Sequence, residues 1–116
     1  MSKIIDQAKS HYAALCDNPK QIEVAEWSGD DGKPLLLFAT PLTLSERAKA
    51  RAAAKNDHEL AAEIIIAKAK LADGTFAFTK MDKFELLKSV DSAVIERIVD
   101  KIMFANDVSV EDAEKN

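Results

Sequence analysis

The sequence is poor in residues that staple, break or stiffen a chain. Its 116 residues include three glycines, three prolines and one cysteine, Cys16. A single thiol makes no internal disulfide, so a reducing, cytoplasmic setting is expected. Aromatics are 6% of the chain beside plentiful alanine, a balance that favours helix over a β-sandwich. Long apolar runs are missing. The longest, at 34–39 and 64–67, are far too short to cross a bilayer, and no membrane partner is expected. Ile4 and Ile5 are followed at once by Asp6, Gln7 and Lys9, which is unlike a signal peptide. Positive charge is also short: the net charge is −4, which argues against a nucleic-acid partner.

Site chemistry is absent in the same way. His11 and His58 lie far apart, and Cys16 has no Cys or His at ligand spacing, so no metal site is expected. Gly29, Gly32 and Gly74 precede no Gly-Lys-Ser/Thr and form no phosphate loop. Asp30 and Asp31 lack the ligand ladder of a calcium loop and read as a solvated turn. Trp27 reads as core. No catalytic residue and no cofactor is expected, and the chain reads as a non-enzyme.

What is present is an ordinary globular balance, 47% apolar and 31% charged, enough for one core. The strongest pattern lies at 91–105. On a helix, Val94, Ile95, Ile98, Val99, Ile102 and Met103 share one side, and Glu96, Arg97, Asp100 and Lys101 the other. The stripe covers about half the cylinder, wider than the ~100° of a surface helix. It needs cover from more than one neighbour, in its own chain or another.

In chain order, 2–16 forms a first helix with Ile4, Ile5, Ala8, Tyr12 and Leu15 on one side, ended by Asn18-Pro19. Ile22, Val24 and Trp27 then follow the period of a strand, and 34–40 gives a second strand after the turn at 28–33. Thr43-Leu44-Ser45-Glu46 matches a capping box opening an Ala-rich helix to about Lys55. Asp57 is expected to cap a further helix through Leu71. That helix has two apolar faces, one with Leu60, Ile64, Ala67 and Leu71 and the other with Ala62, Ile65, Ile66 and Ala69. It is either sandwiched in the fold or presents one face to another subunit. A competing reading makes Asp73-Gly74 a hairpin turn between strands near 66–71 and 75–79. Thr79-Lys80-Met81-Asp82 starts a short helix carrying Phe84, Leu87 and Val90. Asn106 is the expected C-cap of the long helix. The fold class is therefore α+β, mostly α: an N-terminal helix, one β-hairpin and a C-terminal bundle of about four helices. Residues 1–106 are expected to form one domain, and 107–116 an acidic, mobile tail.

Two features suggest an interaction surface. Arg47, Arg51 and Lys55 fall at i, i+4 and i+8, a spacing at which like charges do not help the helix. They form either a solvated ridge or a dock for an acidic segment. Ile65, Ile66 and Ala69 on the two-faced helix, with Val99 and Met103 on the long one, are the candidate apolar contacts for self-association.

The order of these pieces resembles the tail assembly chaperones of long-tailed bacteriophages and prophages. The resemblance runs from about Gln21 onward. It is carried by the strand ending in EVAEW, the hairpin, and TPLTLSERAKARAAA with its Pro-Leu-Thr-Leu helix start. FTKMDKFELLKSVDSAVIERIVDKIM and the closing ANDVSVEDAEKN complete it. Thr40 departs from the family's pattern, which has a basic residue before the proline. The resemblance implies a chaperone that self-associates, binds the tape-measure protein, recruits tail-tube protein, and is absent from the mature virion. It also implies a longer form made by a one-base backward ribosomal slip, since Glu114-Lys115-Asn116 can be encoded GAA AAA AAC. A small helical regulatory or adaptor module, antitoxin-like or a regulator subunit, is the alternative. A metal enzyme using the acidic hairpin tip is the remote third.

Overall fold

The apolar stripe becomes helix α5 (Ser92–Met103), and the computed structural model shows what covers it. The structure describes residues 3–29 and 31–104. The other elements are α1 (Lys3–Asp17), β1 (Lys20–Val24), β2 (Leu35–Ala39), α2 (Leu44–Ala53), α3 (Asp57–Lys68) and α4 (Lys83–Lys88). This is the expected mostly helical α+β fold, with one antiparallel hairpin and four helices after it. Val94, Ile95, Ile98 and Ile102 are buried, while Val99 and Met103 are partly buried at the margin. Packing α5 against both α3 and β1 supplies the two neighbours that a half-cylinder stripe requires. Each fully buried aliphatic side chain contributes about 1.5–3 kcal/mol.

Helix α3 is sandwiched. Ala62, Ile64, Ile65 and Ile66 are all buried, and so is Ala69 just beyond its end. Ile65, Ile66 and Ala69 are therefore core residues rather than a self-association face. Apolar residues around the whole helix reflect cover from α2, α4 and α5 within the same chain. The helix is capped by Asn56, whose Oδ1 accepts from the Glu59 N–H at 2.9 Å, not by Asp57. It stops at Lys68, three residues short of Leu71.

The reason for that stop lies in β2. Phe38 exchanges two backbone hydrogen bonds with Lys70, of 2.8 and 2.9 Å. A helical Lys70 would leave those Phe38 groups without partners. Beyond Lys68 the hairpin reading holds. Leu71 donates to Thr75, Ala77 donates to Ala69, and Gly74 takes the turn at φ +90°, a conformation that glycine adopts without strain. The two readings of 66–79 thus divide at Lys68. The result is one continuous layer: β1, β2, residues 69–71 and residues 75–77.

In the named hairpin, Ile22 opposes Leu37 and Val24 opposes Leu35, and Ile22, Val24, Leu37 and Ala39 are buried. Trp27 is not on the strand. It closes a single 3-10 turn, Ala25–Trp27, and meets Phe78 edge-on at 6.1 Å between ring centres. Of the tip acids, Asp30 lies outside the described residues.

The predicted capping box at Thr43 is made, and the helix start at Thr79 carries a second one. Thr43 Oγ1 accepts from the Glu46 N–H at 3.1 Å, and Glu46 Oε1 from the Thr43 N–H at 2.9 Å. At Thr79, Oγ1 accepts from the Met81 N–H at 3.3 Å and Asp82 Oδ2 accepts from the Thr79 N–H at 2.8 Å. Each such cap contributes about 1 kcal/mol. In α4, Leu86 fills the core while Phe84 and Leu87 face solvent. Helix α1 buries no residue and is fastened by the Tyr12 hydroxyl, which donates to the Pro41 carbonyl at 2.7 Å. Burial pushes that phenol up to about 12. Asn106, the 107–116 tail and Glu114-Lys115-Asn116 lie outside the described residues. Among the described residues no helix is long and apolar enough to cross a membrane.

The solvent side of α5 is tied back to the turn that follows β1. Arg97 grips Glu26 through two hydrogen bonds, of 2.8 and 2.6 Å. That bidentate contact is the main cause holding the Glu26 carboxyl down, from 4.5 to about 2. A depressed carboxylate stabilises the fold above its unfolded pKa, and that stability is lost as pH falls through the folded value. Glu26→Gln is therefore expected to flatten the loss of stability between pH about 4.5 and about 2. Chemical denaturation across that range checks it; parallel curves for both proteins would dismiss the contact as a stabiliser.

Candidate interaction surface

Three of the predicted surface residues converge. Between α2, α3 and the end of α5 lies a groove of about 360 Å³. Its floor is Leu60, Ile64 and Met103, and its rim is Leu44, Arg47, Ala48 and Arg51. The capping box positions the rim, because Thr43 fixes where α2 begins and places Leu44 and Arg47 in its first turn. Leu44 is 84% exposed, a large apolar side chain held in water beside two guanidinium groups. Arg51 meets Asp57 at 3.1 Å, a weak pair in full solvent. Arg47 has no ion-pair partner among the described residues.

Lys55 does not join this ridge. Helix α2 ends at Ala53, and Ala54 turns to extended backbone at φ −105°, ψ 139°. The i+8 position therefore leaves the face shared by Arg47 and Arg51. Lys55 instead borders a neighbouring depression of about 380 Å³ with Met81, Phe84 and Leu87. Met81 is 90% exposed and Phe84 64%, and Lys88 sits over the Phe84 ring at 4.6 Å. At its edge Lys83 reaches both Glu63, at 2.7 Å, and Glu59, at 3.2 Å. The Glu63 bond is the chief cause raising the Lys83 pKa. Val99 is partly buried and lines neither depression.

Sequence reasoning missed Leu44, Met81 and Phe84 as surface residues. The available signal for Leu44 and Met81 was position: each follows its cap within two residues, where the side chain precedes the buried face of the helix. A cleft of about 530 Å³ lies under the end of α1 and includes Cys16, Phe38, Thr40, Lys68, Lys70 and Phe76. Its buried ammonium, Lys68, is already matched by Glu46 at 3.0 Å. Among the described residues no cluster of three His, Cys, Asp or Glu side chains could hold a metal ion. No family model matches the chain, and no curated protein or solved structure matches it either.

Proposed function

We propose that this protein is a non-enzymatic tail assembly chaperone of a long-tailed phage or prophage. In this reading it self-associates, binds the helical, partly apolar tape-measure protein, and promotes polymerisation of tail-tube subunits in the bacterial cytoplasm. It then departs, leaving the mature virion without it. A frameshifted longer form would share residues of this chain and add a second domain.

The observation that carries the proposal is the groove of Leu44, Leu60, Ile64 and Met103 edged by Arg47 and Arg51. An open apolar trough with a cationic rim suits an amphipathic helix whose apolar side chains are flanked by acids. The order of sequence motifs supports the tail-assembly assignment. Co-expression with the tape-measure protein encoded nearby is the test. A soluble complex is expected, and tape-measure protein that stays insoluble and unbound would defeat the proposal.

A narrower outcome follows for the rim. Arg47→Glu is expected to weaken tape-measure binding by about tenfold, with thermal stability nearly unchanged because Arg47 is exposed. The loss should shrink as salt rises, since exposed charges are screened beyond about 8–10 Å at physiological ionic strength. Equal affinities for wild type and variant at low salt would return Arg47 to the role of a solvated side chain.

A further inference from the structure

The sheet layer ends in an open edge at β1, and the register shows which backbone groups it offers. Phe38 directs its N–H and C=O toward Lys70. In an antiparallel ladder neighbouring residues point to opposite sides, so Leu35, Leu37 and Ala39 point toward β1. Their partners Val24, Ile22 and Lys20 point back. Gln21 and Glu23 must then direct their N–H and C=O away from β2. Those groups meet no backbone partner among the described residues, and both residues are exposed. An edge strand with paired free donors and acceptors is a template for another strand.

We propose that β1 pairs antiparallel with β1 of a second copy of this chain, across a two-fold axis at Ile22. In that register Gln21 lies opposite the partner's Glu23 and Glu23 opposite the partner's Gln21. Four backbone hydrogen bonds form, and each carboxylate faces a neutral amide that can donate to it. Shifting the register by two residues is unfavourable in either direction. One shift sets Glu23 against the partner's Glu23, where like charges repel. The other sets Glu23 against the partner's Pro19, which has no N–H to give. The edge is thus complementary to itself in one register. An unrelated strand would have no reason to find that match, which is why the occupant is a second copy.

This contact deepens the self-association in the proposed function by naming its surface, and rests on that part of it alone. It lies apart from the Leu44 groove, so pairing leaves the groove free for a tape-measure helix.

The test uses the full chain and Gln21→Pro. Within the fold, proline at 21 removes only an outward backbone N–H, and edge strands tolerate it there. Two backbone donors vanish per dimer, together with the two Gln21 amides, so sedimentation should show the dissociation constant rising at least roughly thirtyfold, with the thermal transition retained. Amide exchange of the wild type is independent of any variant. Gln21 and Glu23 should exchange quickly when dilute and slow as concentration rises, while Ile22 and Val24 stay protected throughout. Concentration-independent exchange at 21 and 23, or unchanged association in a folded Gln21→Pro, would overturn the inference. So would protection that appears only on adding tape-measure protein, which would assign the edge to a foreign strand. A chain that dimerises through β1 yet never binds tape-measure protein would sink the proposed function and leave this contact standing.

Discussion

Ile65→Asp is expected to leave no cooperative thermal transition. Ile65 is fully buried, at 0% exposure, on a helix covered by α2, α4 and α5. An aspartate there loses the isoleucine's packing and must either carry a desolvated charge, at several kcal/mol, or take up a proton. The combined loss exceeds about 5 kcal/mol, against a total stability of about 5–15 kcal/mol for a domain. Ile66→Asp, on the same turn and nearly as buried, should behave alike. Had this face been a subunit contact, either variant would be folded and merely smaller. Near-UV circular dichroism and sedimentation on one sample separate the outcomes. A sharp melt with a reduced oligomer would return Ile65 and Ile66 to an interface.

What the chain reveals in advance depends on how local each determinant is. The box at Thr43 and the helix start at Thr79 were legible because both partners of each capping hydrogen bond lie within three residues. Helix α5 was legible because its charged and apolar residues never exchange sides, so one period accounts for all of them. Ile65 and Ile66 were not, because apolar residues all around a helix require cover without saying which chain provides it. Lys55 was misread for a different reason. A spacing of i+8 has meaning only while the helix continues, and Asn56 starts the next one by capping Glu59. The stop at Lys68 was hidden because its cause, the free backbone of Phe38, lies thirty residues upstream. In α4 a six-residue helix is too short for a period to choose between Leu86 and Phe84. The groove itself joins Leu44, Leu60 and Met103 from three elements. No window along the chain contains it.

The last prediction concerns the charge that the core admits. Lys68 has 8% of its side chain exposed and meets both oxygens of Glu46, at 3.0 and 3.2 Å. Glu46 itself keeps 41% of its side chain in solvent, so the two partners are unequal. Glu46→Ala strips the counter-charge from a nearly buried ammonium and opens the capping box as well. The cost is expected to be about 2–3 kcal/mol, below the ~3–5 kcal/mol of a fully buried pair because solvent reaches the carboxylate side. Lys68→Met should cost under about 1 kcal/mol, or even stabilise. It removes the desolvated charge and leaves Glu46 hydrated and still bonded to the Thr43 N–H. Acid should separate the two in the same direction. Burial raises the Glu46 pKa, but the Thr43 and Lys68 bonds together outweigh it and the pKa falls below 4.5. The pair's stabilisation is therefore complete above that pH and fades below it, and Lys68→Met should fade less. Urea titrations of wild type and the two variants, at neutral pH and again below 4.5, measure both effects. Equal losses in Glu46→Ala and Lys68→Met would show that the ammonium is solvated and that its burial carries no penalty.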